Sequence, residues 1–114
     1  MPFRNEIIGR TDMLKYKGQM TDEQWQKVDL MLSEVIEINY HQNGARLFMD
    51  AVVWVVVNHA AWRQMPKQYG AWRSIYIRFY RWSNQKIWHS LAQQFVNDQE
   101  LGSLLGRIVE RCDT

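Results

Sequence analysis

The chain has 114 residues, a length that can bury one hydrophobic core but not two. Six Trp, five Tyr and four Phe argue against disorder throughout, and a single cysteine, Cys112, excludes an internal disulfide. The net charge of +2 hides an uneven distribution, because residues 51–97 carry six basic side chains and no Asp or Glu. Such a stretch favours an anionic partner such as nucleic acid, although a basic face can also serve only solubility.

No segment predicts export or membrane insertion. Residues 1–18 are mixed and polar, without the basic start, apolar run and cleavage site of a signal peptide. The longest apolar run, residues 51–57, is far too short to span a bilayer. We therefore expect a soluble, cytoplasmic protein with no membrane partner.

Two segments open the chain. Residues 1–20 show no steady hydrophobic period and contain two glycines, which predicts an N-terminal arm or irregular segment. Thr21 and Gln24 then form a capping-box sequence, the usual start of a helix. Apolar residues recur at helical spacing from Trp25 onward, so a first helix is predicted over residues 22–37.

The segment that starts at Ala45 is dense in apolar residues. Its valines favour a strand, because β-branched side chains fit strands well. A helical stripe also runs through it, formed by Leu47, Phe48, Ala51, Val52 and Val55. We predict a helix that is apolar nearly all round and therefore buried. His59, at its end, is expected to be a capping or core histidine.

A short helical segment, residues 61–69, is interrupted by Pro66 and followed by a tight turn at Gly70. An amphipathic helix is then predicted from Trp72 to residue 84. Its inward face is predicted to hold Trp72, Ile75, Tyr76, Phe79 and Trp82. Its outward face is predicted to hold Arg73, Ile77, Tyr80, Arg81 and Asn84, with Arg78 at the edge and Tyr80 as the exposed aromatic side chain.

Two more helices complete the pattern, one over residues 86–97 and a weaker one over residues 101–109 that two glycines interrupt. The prediction is an all-α fold, a compact helical bundle of about five helices that contains a helix-turn-helix. We divide the chain into an N-terminal arm (1–20), a helix-turn-helix helical domain (21–98) and a C-terminal helix or tail (99–114).

The order of elements between residues 45 and 84 is typical of a helix-turn-helix, in which the second helix enters the major groove of DNA. Arginine can bind guanine through two hydrogen bonds or clamp a phosphate. The predicted DNA-binding residues lie on the basic helix and beside it: Arg73, Ser74, Arg78, Arg81, Asn84, Lys67, Gln68, Arg63 and Lys86. The alternative interpretation is the solvated face of an ordinary helical bundle.

No residue pattern predicts catalysis. His41, His59 and His89 lie far apart in the sequence and no cysteine cluster accompanies them, so no metal site is expected. Cys112 has no local base, and the chain has neither a Gly-rich phosphate loop nor a nucleophile elbow. We expect no enzyme activity, no catalytic residue and no cofactor.

A series of spaced residues resembles the N-terminal domain of bacterial DDE-type insertion-sequence transposases. The hallmark is Trp-Arg, two residues, Pro, then aromatic-Gly-x-Trp and a helix of aromatics and arginines. It falls here on Trp62, Arg63, Pro66, Tyr69, Gly70, Trp72, Tyr76, Phe79, Arg81 and Trp82. The resemblance covers roughly residues 20–97 and implies recognition of duplex DNA at the ends of a mobile element.

The same resemblance bears on chemistry and partners. Full-length members of that family continue into an RNase H-like domain with three metal-binding carboxylates, for which residues 98–114 show no counterpart. The resemblance therefore implies the first reading frame of an element, a truncated copy or a reused domain, without strand transfer. Its partners would be duplex DNA, with a second copy of the chain or a full-length transposase.

The rival hypothesis is a protein-binding module. In it, a transposase-derived fold neutralises a protein partner such as a toxin, in the manner of an immunity protein or antitoxin, or regulates a transposase. The basic face would then cover an acidic protein surface. A translated remnant without function is the third alternative.

Overall fold

The computed structural model describes residues 20–36 and 44–113. They form five α-helices: α1 (Asp22–Val35), α2 (Ala45–Val57), α3 (Trp72–Asn84), α4 (Ile87–Gln94) and α5 (Gln99–Cys112). Two 3₁₀ turns, Trp62–Gln64 and Lys67–Tyr69, connect α2 to α3. No strand occurs in these two ranges, and the predicted all-α bundle is confirmed. The predicted N-terminal arm lies, except for Met20, outside the described residues.

Helix α1 begins with the predicted capping box. The Thr21 hydroxyl accepts a hydrogen bond from the Gln24 backbone N–H, and the Gln24 side chain accepts one from the Thr21 backbone N–H, both at 3.0 Å. These bonds satisfy two donors that the first turn of a helix leaves free. Trp25, Val28 and Leu32 are buried at helical spacing, so one face of α1 packs on the core.

Helix α2 is the centre of the bundle. Nine of its 13 residues are buried, as predicted, and its valines pack as helix residues rather than as a strand. Leu47 of the predicted apolar stripe is the exception, with an exposed fraction of 48%. The expectation for His59 is wrong. Its side chain is exposed because the backbone turns there in the left-handed conformation (φ 51°), and Asn58 caps the helix by donating to the Trp54 carbonyl at 2.8 Å.

One buried carboxylate joins α2 to the start of α1. Asp50 accepts a hydrogen bond from the Met20 backbone N–H at 3.0 Å, and Arg46 Nε lies 3.7 Å from its second oxygen. Arg46 also lies 2.7 Å from Asp22. Burial raises the pKa of Asp50, although the Met20 hydrogen bond and the charge of Arg46 lower it.

Helix α3 has the predicted bounds, and its buried side chains join a cluster of aromatic rings. The Trp82 ring lies 5.0 Å from both Phe48 and Trp88, and Phe79 lies 5.3 Å from Trp88 (ring centre to ring centre). Trp88 Nε1 donates to the Phe79 carbonyl at 3.0 Å, which satisfies the indole N–H inside the core. This cluster fixes how α3 lies against α2 and α4.

The predicted orientation of two tyrosines is wrong. Tyr76 is exposed (41%), whereas Tyr80 is half-buried. Tyr80 packs against the core, and its ring lies 5.0 Å from that of Phe79 and 6.4 Å from that of Trp62 in the first 3₁₀ turn. Helical periodicity alone cannot reveal such a neighbour, because it reports only the angular position of a residue.

The last two helices differ from the prediction in length. Helix α4 ends at Gln94, and α5 runs on from Gln99 to Cys112 because Asp98 caps it, accepting from the Leu101 backbone N–H at 3.0 Å. Gly102 does not interrupt α5. A Cβ there would lie 2.6 Å from the Phe95 carbonyl oxygen, so glycine permits a close approach of the preceding turn.

Candidate functional site

The exposed side of α3 carries four of the predicted DNA-binding residues. We define the α3 face as five side chains, all exposed and spread over about 100° of the helix: Arg73, Ser74, Ile77, Arg81 and Asn84. Arg73 and Arg81 are eight residues apart, which separates their Cα atoms by about 12 Å along the axis. Two exposed guanidinium groups therefore stand in one row along the helix.

A groove lies beside the α3 face, between the first 3₁₀ turn and the N-terminal half of α3. We call it the aromatic groove; its volume is about 490 Å³ and its lining is Ala61, Trp62, Arg63, Trp72, Arg73, Tyr76 and Ile77. The guanidinium carbons of Arg63 and Arg73 lie 5.9 and 5.5 Å from the centre of the Trp72 ring. The fold thus places the guanidinium groups of Arg63 and Arg73 at the same Trp72 ring.

Arg78 lies elsewhere on α3. Its guanidinium carbon lies 4.4 Å from the centre of the Phe48 ring and 5.3 Å from that of Trp82, and the side chain is half-buried. Arg78 is also about 140° around the helix from Arg73. The structure therefore gives Arg78 a packing role that the sequence pattern did not indicate.

The remaining predicted residues flank α3 rather than lie on it. Lys67 and Gln68 are exposed on the second 3₁₀ turn, which packs against α2. Lys86 is exposed at the junction of α3 and α4, where its backbone is left-handed (φ 62°). Along the chain, Lys67 and Gln68 thus precede α3, and Lys86 follows it.

Acidic and basic side chains are distributed unevenly along the chain. Helix α1 carries four acidic residues and one basic residue, Lys27. Between Asp50, which is buried, and Asp98, the described chain contains no carboxylate. Helix α3 and the chain on either side of it therefore contribute cations and no carboxylate, which favours an anionic ligand at the α3 face.

Other candidate chemistry is confined to single groups. Burial raises the pKa of the Cys112 thiol, so the nucleophilic thiolate is disfavoured. Within residues 20–36 and 44–113, no three His, Cys, Asp or Glu side chains are grouped so that they could hold a metal ion. Across the same residues, no helix is both long and apolar enough to cross a membrane.

The sequence pattern predicts neither the aromatic groove nor a functional role for the exposed Ile77. Ile77 falls on the predicted outward face of the helix, and an apolar residue between two arginines on such a face is a signal that the sequence offers. The groove has no comparable signal, because Trp62 and Trp72 come to line the same groove only through the turn between them.

Comparison with known proteins identifies relatives of most of the bundle. Residues 20–92 match a family described as "Putative transposase of IS4/5 family". The uncharacterized protein y4sN of Sinorhizobium fredii is 28% identical over 60 residues, which cover 53% of this chain and 48% of that protein. The chain thus spans about half the length of this curated relative. No solved structure matches the chain.

Proposed function

The chain belongs to the IS4/5 family of transposases, and from that membership we propose that it binds duplex DNA through the α3 face. The observation that carries the proposal is the row of Arg73 and Arg81, both exposed, on a helix whose own stretch of chain has no carboxylate. A major groove about 12 Å wide admits an α-helix. In this proposal α3 is the recognition helix of a helix-turn-helix, preceded by 3₁₀ turns in place of a first helix.

The flanking groups act on the DNA backbone in this arrangement. Arg63 and Arg73 both lie at the Trp72 ring, and Arg63 contacts a phosphate at one edge of the groove. Lys67 and Gln68 on the second 3₁₀ turn, and Lys86 after α3, position the duplex in the same way. Ser74 and Asn84 lie on the α3 face and offer hydrogen bonds to base edges or phosphates.

In the proposed complex, the chain binds DNA at the end of a mobile element. It binds there as a dimer or together with a longer transposase. Family membership supports this assignment. A single domain of this size covers little DNA, so a second copy or partner adds both affinity and specificity. The proposal concerns binding alone.

A protein partner is the second candidate. The observation that favours it is the exposure of Tyr76 (41%) and Ile77 (56%) beside the aromatic groove, since aromatic and apolar side chains are common in protein interfaces. In this version the α3 face covers an acidic surface of a toxin, a nuclease or a transposase. Tight binding to one such protein, with no affinity for DNA, would establish it.

Fluorescence anisotropy of labelled duplexes tests the proposal. Wild-type protein is titrated at about 50 and 200 mM salt, the range over which phosphate contacts lose most of their contribution. Arg73→Ala and Arg81→Ala are compared with Lys27→Ala, which removes the same charge from α1. Salt-sensitive binding that only the two arginine variants weaken supports the α3 face as the interface. Absence of binding by the folded wild type at low salt rejects the proposal.

A further inference from the structure

Ile77 occupies the middle of the cation row on the α3 face. It is 56% exposed and lies four residues from Arg73 on one side and four residues from Arg81 on the other. Positions four apart stand about one turn from each other on the same side of a helix. A large apolar side chain is thus held between two guanidinium groups, on the side of α3 that faces away from the core.

The packing of the bundle gives no reason for an isoleucine at this position. Phe79 and Trp82 supply the buried contacts of α3, whereas Ile77 only borders the aromatic groove. Single exposed apolar residues are common on protein surfaces, and Leu30 and Val96 are such cases on other elements. Ile77 differs from them because it lies at the centre of the proposed DNA-binding face.

We propose that Ile77 reads the C5-methyl group of a pyrimidine in the major groove. This inference rests on the proposed function. When α3 lies in the groove, the residue midway along its exposed face is the one nearest the base edges. The C5-methyl group of thymine is the apolar feature of those edges, and an aliphatic side chain binds it by excluding water.

The two arginines fix the register of this contact. Their Cα atoms are about 12 Å apart along the helix. Because a recognition helix lies along the major groove, the two arginines reach phosphates or guanines on either side of the base pair that Ile77 faces. Thymine and 5-methylcytosine both present the methyl group at C5. The proposed ligand of Ile77 is therefore a 5-methylpyrimidine, and the experiment below distinguishes thymine from 5-methylcytosine.

The experiment begins with site selection from a random duplex pool by the wild-type protein. In the selected duplex each thymine is then replaced, one at a time, by deoxyuridine, which lacks only the methyl group. At one position the wild type is expected to lose about four-fold in affinity, the effect of one buried methyl group. Ile77→Ala is expected to bind the thymine and deoxyuridine duplexes equally. Each cytosine is also replaced by 5-methylcytosine. If the methyl group that Ile77 contacts belongs to 5-methylcytosine, one such replacement is expected to raise the affinity by a similar factor.

Controls separate the outcomes. Val96→Ala removes an apolar side chain of similar exposure from outside α3 and is expected to discriminate as the wild type does. Alanine favours helices, so Ile77→Ala remains folded, as circular dichroism can verify. The inference is overturned if the affinity of the wild type does not depend on the C5-methyl group at any pyrimidine. It is also overturned if the affinity of Ile77→Ala depends on that group as strongly as the wild type's does. In both cases DNA binding itself stands. If no duplex binds at all, the proposed function itself fails, and the inference with it.

Discussion

The guanidinium carbon of Arg78 lies 4.4 Å from the centre of the Phe48 ring, so an arginine of α3 is stacked on an aromatic residue of α2. The same group lies 5.3 Å from the centre of the Trp82 ring. Arg73 and Arg81, on the α3 face, are instead exposed. Three arginines of one helix therefore divide into one that joins two helices and two that face solvent.

We expect Arg78→Ala to lower the free energy of unfolding by about 1–2 kcal/mol, because a half-buried cation–π contact and the packing of the aliphatic stem are both lost. Arg81→Ala, the control on the same helix, is expected to change it by less than about 0.5 kcal/mol. Urea unfolding followed by circular dichroism measures both. In DNA titrations Arg78→Ala is expected to lose less affinity than Arg81→Ala. A larger loss of DNA affinity for Arg78→Ala than for Arg81→Ala would mean that Arg78 lies in the DNA interface, as the sequence predicts.

Two glycines of α5 are expected to respond to alanine with opposite signs. A Cβ at Gly102 would lie 2.6 Å from the Phe95 carbonyl oxygen, whereas at Gly106 nothing lies within 4 Å. Gly106→Ala is expected to stabilise the protein by about 0.5–1 kcal/mol, because alanine loses less backbone entropy in a helix. Gly102→Ala is expected to destabilise it by about 1–3 kcal/mol, because backbone atoms must shift. Thermal unfolding of the pair decides the matter, and equal shifts would contradict the close packing at Gly102.

The features that the sequence predicted well depend on local chemistry. The capping box of Thr21 and Gln24 sets the start of α1, and Gly70 (φ 100°) sets the turn before α3. Both act on the backbone within a few residues, which is why sequence spacing reveals them. The family resemblance, carried by Trp, Pro and Gly positions around the same turn, is likewise confirmed.

The features that were missed depend on neighbours distant in the sequence. The Tyr80 ring lies 6.4 Å from Trp62 of a 3₁₀ turn, and Arg78 stacks on Phe48, 30 residues away. The sequence predicts that Gly102 interrupts a helix, but this glycine lies against the Phe95 carbonyl of the preceding turn. In each case the partner is set by how elements pack, and helical periodicity contains no information on that.

Asp50 is expected to give stability a pH dependence of unusual sign for a carboxylate. Burial is the largest effect on its pKa and raises it above the ordinary value of 3.8. The folded state then binds the proton more tightly than the unfolded state. The stabilisation is therefore fully present below a pH of about 3.8 and is lost as the pH rises through the raised pKa.

Asp50→Asn tests this linkage, because the amide oxygen still accepts from the Met20 N–H but does not titrate. The free energy of unfolding of the wild type, taken relative to that of Asp50→Asn, is expected to fall as the pH rises from about 3 to 7. Urea unfolding at a series of pH values measures the difference, with Glu34→Gln on α1 as an exposed control. If the free energy of unfolding of the wild type rises relative to that of Asp50→Asn as the pH rises, the charge of Arg46, rather than burial, is the larger effect on the pKa of Asp50.

The salt dependence of DNA binding counts the phosphates that the protein neutralises. If four are contacted, log K for the wild type is expected to fall with log salt at a slope of about −3.6, and removal of one contact is expected to reduce the slope by about 0.9. Arg63→Ala is expected to show that reduction on every duplex, because a phosphate contact is independent of sequence. Lys27→Ala, which removes an equal charge from the acidic helix α1, is expected to leave the slope unchanged. A slope that shifts equally in both variants would show that net charge, and not a located contact, governs binding.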